Sequence, residues 1–149
     1  MLKEEEIKIV VSLYYLEGFP VWRVPESILT TIREKFPLLK LTKAIDDEHL
    51  AKEIVDSDIV FGWTIPKEFF LKGKALKWIH LASAGADRNL YQELIDSPAH
   101  LTCSRGIAAI SIAEHALAMM LALTRGLHHG VRFQWRKEWG RDYFWTEAH

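Results

Sequence analysis

The sequence predicts an α/β fold, in which a parallel β-sheet carries helices on both faces and is followed by one long apolar helix. Two observations support this fold class. Strand-like and helix-like patterns alternate from Ile7 to Cys103 and the segments that join them are short, as in parallel sheets built from strand–helix–strand units. From Ile107 the alternation stops and an apolar stretch with almost no polar face begins.

The first strand and the first helix are predicted near the amino-terminal end. Residues 7–13 are rich in β-branched side chains, which is typical of a strand. A turn-rich stretch with Gly18 and Pro20 follows. Pro25 opens a helix because proline suits the first helical turn, and Pro37 ends it. Apolar residues recur in it at helical spacing: Ile28, Leu29, Ile32 and Phe36.

Two further strand–helix pairs are predicted next. Residues 38–41 form the second strand, and the acidic run from Asp46 starts a helix, because carboxylates are favourable at a helix N-terminus. Residues 58–62 form the third strand, and Pro66 opens a short helix that ends near Gly73.

The last two strands of the sheet are predicted at residues 76–81 and 100–103. A helix over residues 89–95, which Pro98 stops, joins them. The sheet would then be complete, with every connection short enough for a right-handed crossover.

The apolar helix predicted over residues 107–123 is the most unusual feature. Roughly ten large side chains there represent ~15–30 kcal/mol of burial, whereas a whole domain is stable by only ~5–15 kcal/mol. Another domain or another chain must therefore cover this helix, and we predict a homodimer that also uses the aromatic and basic segment 131–149. The residues predicted for this interface are Ile110, Leu117, Met120, Leu121, Phe133, Trp135 and Trp139.

Histidine and glutamate side chains near this helix are interpreted structurally. Glu114 and His115 are neighbours and point about 100° apart, so they cannot form an acid–base pair with each other. Gly126 marks the end of the helix, and His128 and His129 next to it would favour the helix dipole.

The loop between the fourth strand and its helix is the best candidate for a binding site. Its small residues allow close approach of a ligand, Gly85 can adopt a positive φ, and consecutive amides at a helix start suit a carboxylate. The strand-to-helix segment at Gly62 and Trp63 ends at the same sheet edge and would form a second wall. The predicted binding residues are Ser83, Ala84, Gly85, Ala86, Gly62 and Trp63. The alternatives are a tight turn with Asp87 as N-cap, and a plain loop before Pro66. Arg105 would meet an anion or stay solvated.

Composition and missing motifs exclude several classes of function. A net charge of −1 attracts neither nucleic acid nor a membrane surface. The lone Cys103 forms no internal disulfide, and no His or Cys spacing suggests a metal site. The acidic N-terminus lacks the apolar segment of a signal peptide, so we expect a cytoplasmic protein. No glycine-rich nucleotide loop and no nucleophile elbow is present, so neither catalytic nor cofactor-binding residues are predicted.

Three segments resemble the D-isomer-specific 2-hydroxyacid dehydrogenases. Residues 76–87, LKWIHLASAGAD, resemble the substrate loop of that family. Residues 105–123 resemble its interdomain and dimer helix, and residues 135–139 resemble the arm after that helix. The family often has asparagine near Cys103, where this chain has Cys103–Ser104, which weakens any assignment of cofactor contacts there.

The resemblance implies a domain organisation and a function. Residues 1–104 would be a flavodoxin-like substrate domain and residues 105–149 the interdomain and dimerisation helix with its aromatic arm. The amides around Ala84 to Ala86 would hold the carboxylate of a 2-keto or 2-hydroxy acid. The family's catalytic arginine, glutamate and histidine, and its loop for NAD or NADP, come later than His149. We therefore expect the substrate-binding portion of the enzyme, inactive by itself.

Two other functions stay open. The apolar helix also fits a non-catalytic oligomerisation or ligand-sensing module. A flavodoxin or receiver-type signalling domain shares the general topology. A receiver is disfavoured because the third strand ends in Phe61–Gly62 rather than in an aspartate.

Overall fold

The computed structural model of this protein describes residues 6–13 and 24–146. The predicted turn-rich stretch around Gly18 and Pro20 lies outside these residues. The chain forms two compact units, with the boundary between Arg105 and Gly106.

Five parallel strands form the sheet of the first unit, in the order β2-β1-β3-β4-β5. The strands are β1 (Ile7–Ser12), β2 (Leu39–Lys43), β3 (Ile59–Gly62), β4 (Trp78–Leu81) and β5 (His100–Cys103). The order reverses between β1 and β3, which is the flavodoxin-like arrangement. The predicted α/β fold with a flavodoxin-like parallel sheet and flanking helices is confirmed.

Four helices connect these strands: α1 (Glu26–Lys35), α2 (Asp47–Glu53), α3 (Lys67–Phe70) and α4 (Gln92–Ile95). The start of α2 follows from its cap, because the Asp46 carboxylate accepts a hydrogen bond from the His49 amide at 2.7 Å. Short 3₁₀ turns, Ile54–Asp56 and Asp87–Asn89, complete the connections.

The helix predicted over residues 89–95 ends as expected, but its predicted start is wrong. Residues 87–89 form a 3₁₀ turn, and α4 begins only at Gln92. Between them Leu90 (ψ 52°) and Tyr91 (ψ 152°) leave the helical region. The side chains on either side of this break bind a neighbouring loop, which explains why the local helical pattern does not prevail.

One face of the sheet carries the core. Val10, Val60 and Ile79 are fully buried at paired positions of β1, β3 and β4, and Leu81 is buried two residues beyond Ile79 on the same face. Side chains from the connecting segments cover them: Leu50, Ile54, Ile65, Phe69 and Leu94. This packing fixes the positions at which the strands end, and so the place where the loops after β3 and β4 emerge.

Three helices form the second unit: α5 (Ala109–Thr124), α6 (Leu127–Arg136) and α7 (Arg141–Thr146). The predicted long apolar helix is α5, and it starts two residues later than expected, after Gly106 with φ 87°. Gly126 adopts a left-handed conformation (φ 61°) and separates α5 from α6, as predicted. Helices α6 and α7 lie in the aromatic segment, for which no secondary structure was expected.

The interpretation of His128 and His129 as dipole partners is wrong. Both lie in the first turn of α6, where the helix dipole disfavours a positive charge. Burial and the neighbouring charges of His128 and Arg132 lower the pKa of His129. Its Nε2 atom lies 2.8 Å from the hydroxyl of Tyr143, which ties α6 to α7.

Helix α5 buries none of its residues. Of the seven predicted interface residues, six are exposed, from 54% for Leu121 to 90% for Trp139. The seventh, Phe133, is half-buried and packs on Tyr143 and Phe144. Among the described residues no single helix has the length and hydrophobicity needed to cross a membrane. Helices α5 and α6 have that length and hydrophobicity only when taken together, and the pair is bent by 66°.

Candidate ligand-binding cleft

The candidate site lies where the parallel strands end. The last residues of β3, β4 and β5 are Gly62, Leu81 and Cys103, which share one edge of the sheet. The predicted loop, Ser83 to Asp87, leaves this edge directly after β4, next to the segment that follows β3. Ligands of open α/β sheets bind at such an edge.

The backbone of the predicted loop is fixed at its base. Ser104 donates its amide to the carbonyl oxygen of Ser83 at 3.0 Å. The hydroxyl of Ser83 lies 2.8 Å from the carbonyl oxygen of Gly85. The thiol of Cys103 lies 3.4 Å from the carbonyl oxygen of Ala84. These contacts use the carbonyl groups of the loop and leave its amides uncommitted.

Three consecutive amides of this loop are available as donors. Within residues 6–13 and 24–146, the amides of Ala84, Gly85 and Ala86 donate no hydrogen bond. Ala84 and Gly85 are exposed to solvent. Adjacent free amides form a concave donor surface suited to an anion, and a carboxylate has two oxygens to accept from them.

Gly85 serves this surface through its lack of a side chain and not through its backbone conformation. The expectation of a positive φ is wrong, since the described glycines with positive φ are Gly106 and Gly126. A Cβ atom at Gly85 would lie 3.2 Å from Oδ2 of Asp87, a flexible side-chain end. A methyl group there would thus be tolerated by the fold but would stand among the free amides.

The alternative interpretation is a turn with Asp87 as its N-cap. The turn is present, but Asp87 does not cap it. Ala86 occupies the cap position of the 3₁₀ turn, and no side chain caps it. The turn itself closes through the amide of Asn89, which donates to the carbonyl oxygen of Ala86 at 2.8 Å.

Gly62 and Trp63 form the base of the second wall. A Cβ atom at Gly62 would lie 2.3 Å from Oγ of Ser12 and 2.7 Å from Cδ1 of Ile65, so only glycine fits. The hydroxyl of Ser83 also lies 3.1 Å from the carbonyl oxygen of Trp63, which joins the two walls.

A cleft of about 230 Å³ lies between these loops. Its lining residues are Trp63, Thr64, Ser83, Gly85, Asp87, Arg88 and Asn89. Three predicted residues, Trp63, Ser83 and Gly85, line it, whereas Ala84, Ala86 and Gly62 are adjacent in the chain. Arg105 is exposed and is not among the lining residues.

Arg88 and Asn89 line the cleft and are not among the predicted binding residues. Arg88 is exposed and brings a positive charge to the cleft. Asn89 is only 1% exposed, which is unusual for an amide side chain. Neither residue belongs to a motif, and the sequence predicts only the start of a helix there.

The described residues show no further chemical site. No group of three or more His, Cys, Asp or Glu side chains among them could hold a metal ion. Glu114 and His115 are both exposed on α5. The strongest perturbation of an ionisable group beside the cleft is at Tyr91, where burial and the charge of Glu93 raise the pKa to about 12.

Two solved structures share the fold of this chain. The NAD-dependent formate dehydrogenase from Staphylococcus aureus, in complex with NAD, matches with a TM-score of 0.65 and 22% sequence identity over 96% of this chain. The TT0316 protein from Thermus thermophilus matches with a TM-score of 0.57 and 19% identity, also over 96%. This chain spans 46% and 43% of their lengths. No protein-family model matches the sequence, and no curated protein matches it significantly.

Proposed function

We propose that this chain is the substrate-binding portion of an NAD(P)-dependent D-2-hydroxyacid dehydrogenase. Its ligand would be the carboxylate of a 2-keto or 2-hydroxy acid. The observation that carries the proposal is the row of free amides at Ala84, Gly85 and Ala86, at the ligand-binding edge of the sheet.

Each part of the cleft has a role in this proposal. The amides of Ala84 to Ala86 donate to the carboxylate oxygens, and the absence of a side chain at Gly85 lets the carboxylate approach. Trp63 forms the opposite wall. Arg88 adds a positive charge at the rim, which offsets the carboxylate of Asp87 in the same lining.

The redox chemistry belongs to the complete enzyme. There, a hydride passes between the nicotinamide cofactor and the 2-keto acid. NAD is favoured over NADP, since the similar structure from S. aureus is described as NAD-dependent and contains NAD. This chain contributes carboxylate recognition, and none of its residues is assigned to the cofactor or to proton transfer.

A titration with pyruvate tests the proposal. Pyruvate is expected to shift the backbone amide NMR signals of Ala84, Gly85 and Ala86. Gly85→Ala should weaken binding about tenfold or more, because the methyl group blocks one or more amide hydrogen bonds. Gly130→Ala is the matched control, since its Cβ would make only an ordinary 3.5 Å contact with Phe144 and lies in the other unit.

Two outcomes would contradict the proposal. One is a titration in which pyruvate, glyoxylate and hydroxypyruvate leave the loop amides unshifted. The other is a Gly85→Ala variant that binds pyruvate as tightly as the unmodified chain does. The purified chain is also expected not to oxidise NADH with any of these three acids, and turnover would show that catalytic groups are present in it.

A second candidate function rests on α5. Its exposed apolar side chains also fit a non-catalytic oligomerisation or ligand-sensing module. That function predicts association of the chain with itself or with another protein, with no response of the loop amides to 2-keto acids. The pyruvate titration therefore distinguishes the two candidates.

A further inference from the structure

Side chains from the loop after β4 bind the backbone of the loop after β3. Ser83, Asn89 and Tyr91 contribute these side chains, and they reach the carbonyl oxygen of Trp63 and both backbone groups of Ile65. A loop outside the sheet ladder needs such partners, because buried backbone groups must be hydrogen-bonded. We call the contacts of Asn89 and Tyr91 with Ile65 the Ile65 clamp.

Asn89 is the buried half of the Ile65 clamp. Its Oδ1 atom accepts the Ile65 amide hydrogen at 2.8 Å, across 24 positions of sequence. Among the described residues its Nδ2 atom is buried without a hydrogen-bond partner. A core that needed only volume here would be served better by leucine, since a buried unpaired donor is costly. The acceptor function toward Ile65 is therefore what the asparagine provides.

Tyr91 is the other half of the clamp. Its hydroxyl donates to the carbonyl oxygen of Ile65 at 3.2 Å, and its ring packs beside Phe70 of α3. With a pKa raised to about 12, the phenol stays protonated at any ordinary pH and remains a donor. The next turn continues the connection, because Glu93 of α4 forms an ion pair with Lys67 of α3.

We propose that Asn89 and Tyr91 are positioning residues of the cleft, which hold the Trp63 wall at a fixed distance from the amides of Ala84 to Ala86. This inference rests on the proposed function for its ligand. Asn89 lines the cleft, but the proposed role does not require the clamp to contact the carboxylate. It acts through Ile65, two residues beyond Trp63, so that both walls keep the geometry required for binding before the ligand arrives.

Amide exchange tests the clamp without any ligand. Asn89→Leu is expected to speed hydrogen exchange of the Ile65 amide about tenfold or more relative to the core amides of β3, because that amide loses its acceptor. Asn89→Asp retains an acceptor oxygen and should keep the exchange slow. Exchange at Ile65 that is the same in the unmodified chain and in Asn89→Leu would overturn the inference.

Pyruvate affinity tests the consequence for the cleft. Tyr91→Phe removes a single hydroxyl and keeps the ring, so it should fold and bind pyruvate about threefold to tenfold more weakly. Leu29→Ala is the control, because Leu29 of α1 is buried and lies outside the core cluster that contains Ile65, so its loss opens a cavity away from the clamp. It should lower stability and leave pyruvate affinity unchanged.

The outcomes separate the two proposals. The positioning role would be overturned if Tyr91→Phe bound pyruvate as tightly as the unmodified chain. It would also be overturned if Leu29→Ala weakened binding as much as Tyr91→Phe. If the unmodified chain binds no pyruvate, the proposed function fails, and the exchange of Ile65 in Asn89→Leu still decides whether the clamp fixes the loop.

Discussion

Gly62→Ala should destabilise the protein even though alanine is better than glycine inside a strand. Gly62 ends β3, and its missing Cβ would lie 2.3 Å from Oγ of Ser12 and 2.7 Å from Cδ1 of Ile65. Comfortable contacts are about 3.5–4.0 Å. Ser12 is 1% exposed and Ile65 1% exposed, so neither can move aside into solvent. The added methyl group must displace strand β1 or the loop after β3.

The expected loss of unfolding free energy is about 1–2 kcal/mol. Overpacking costs roughly 1–3 kcal/mol, and alanine regains about 0.5–1 kcal/mol of chain entropy. For a chain of this length the change lowers Tm by roughly 2–8 °C. Thermal and urea unfolding, followed by circular dichroism, measure it.

A double-mutant cycle tests the cause. Ser12→Ala removes the nearest clashing atom, whose hydrogen bond to the carbonyl oxygen of Phe61 is long at 3.4 Å. Ser12→Ala together with Gly62→Ala should therefore be about 1 kcal/mol more stable than the sum of the single changes. Strict additivity, or a Gly62→Ala variant as stable as the unmodified chain, would refute the steric reasoning.

Three other predictions concern charge and association. The Asp58 carboxylate accepts from Lys77 Nζ at 2.8 Å and from the Lys8 amide at 2.9 Å, which lowers its pKa below 3.8. Asp58→Asn should therefore lower the free energy of unfolding by about 1–2 kcal/mol at pH 7. This loss should disappear as the pH falls through the lowered pKa of Asp58. A loss that urea unfolding finds unchanged at pH 2 would contradict the role of the ionised carboxylate. Because the pKa of His129 is lowered, its neutral form stabilises the α6–α7 pair above pH 6.5, and this contribution is lost on acidification. An NMR titration of His129 with a midpoint at or above pH 6.5 would contradict this prediction. The chain should sediment as a dimer, because α5 exposes its apolar side chains. The Leu117→Asp variant, which places a charge on this surface, should sediment as a monomer. An unmodified chain that sediments as a monomer at all concentrations would argue against self-association.

The sheet was predictable because each strand has a local signal. The β-branched runs of β1 and β3 and the prolines and glycines between elements mark their boundaries. Parallel pairing follows, since the helical connections between strands leave no room for hairpins. The position of the Ser83 loop at the sheet edge follows in turn from parallel pairing, without any information on side-chain contacts.

The details of the cleft depend on contacts that no local pattern encodes. Asn89 and Tyr91 bind Ile65, more than twenty positions away in the chain, and this pairing interrupts the helix predicted through them. A long-range hydrogen bond leaves no periodic trace in the sequence. The helices α6 and α7 were missed for a related reason, since aromatic residues such as Phe133 and Tyr143 favour a helix only weakly without their mutual packing.

Helix α5 was predicted from a local pattern, but its apolar side chains have no partner among the described residues that buries them. Its sequence predicted a helix without a polar face, and it buries no residue. The side chains of Ile110, Met120 and Leu123 are exposed. Full burial would stabilise each of them by about 1.5–3 kcal/mol. The exposed tryptophans Trp135 and Trp139 extend the apolar surface beyond the helix. Burial of this surface against another chain would recover part of that transfer free energy, less the cost of bringing two chains together. We therefore predict that the chain self-associates in solution through α5.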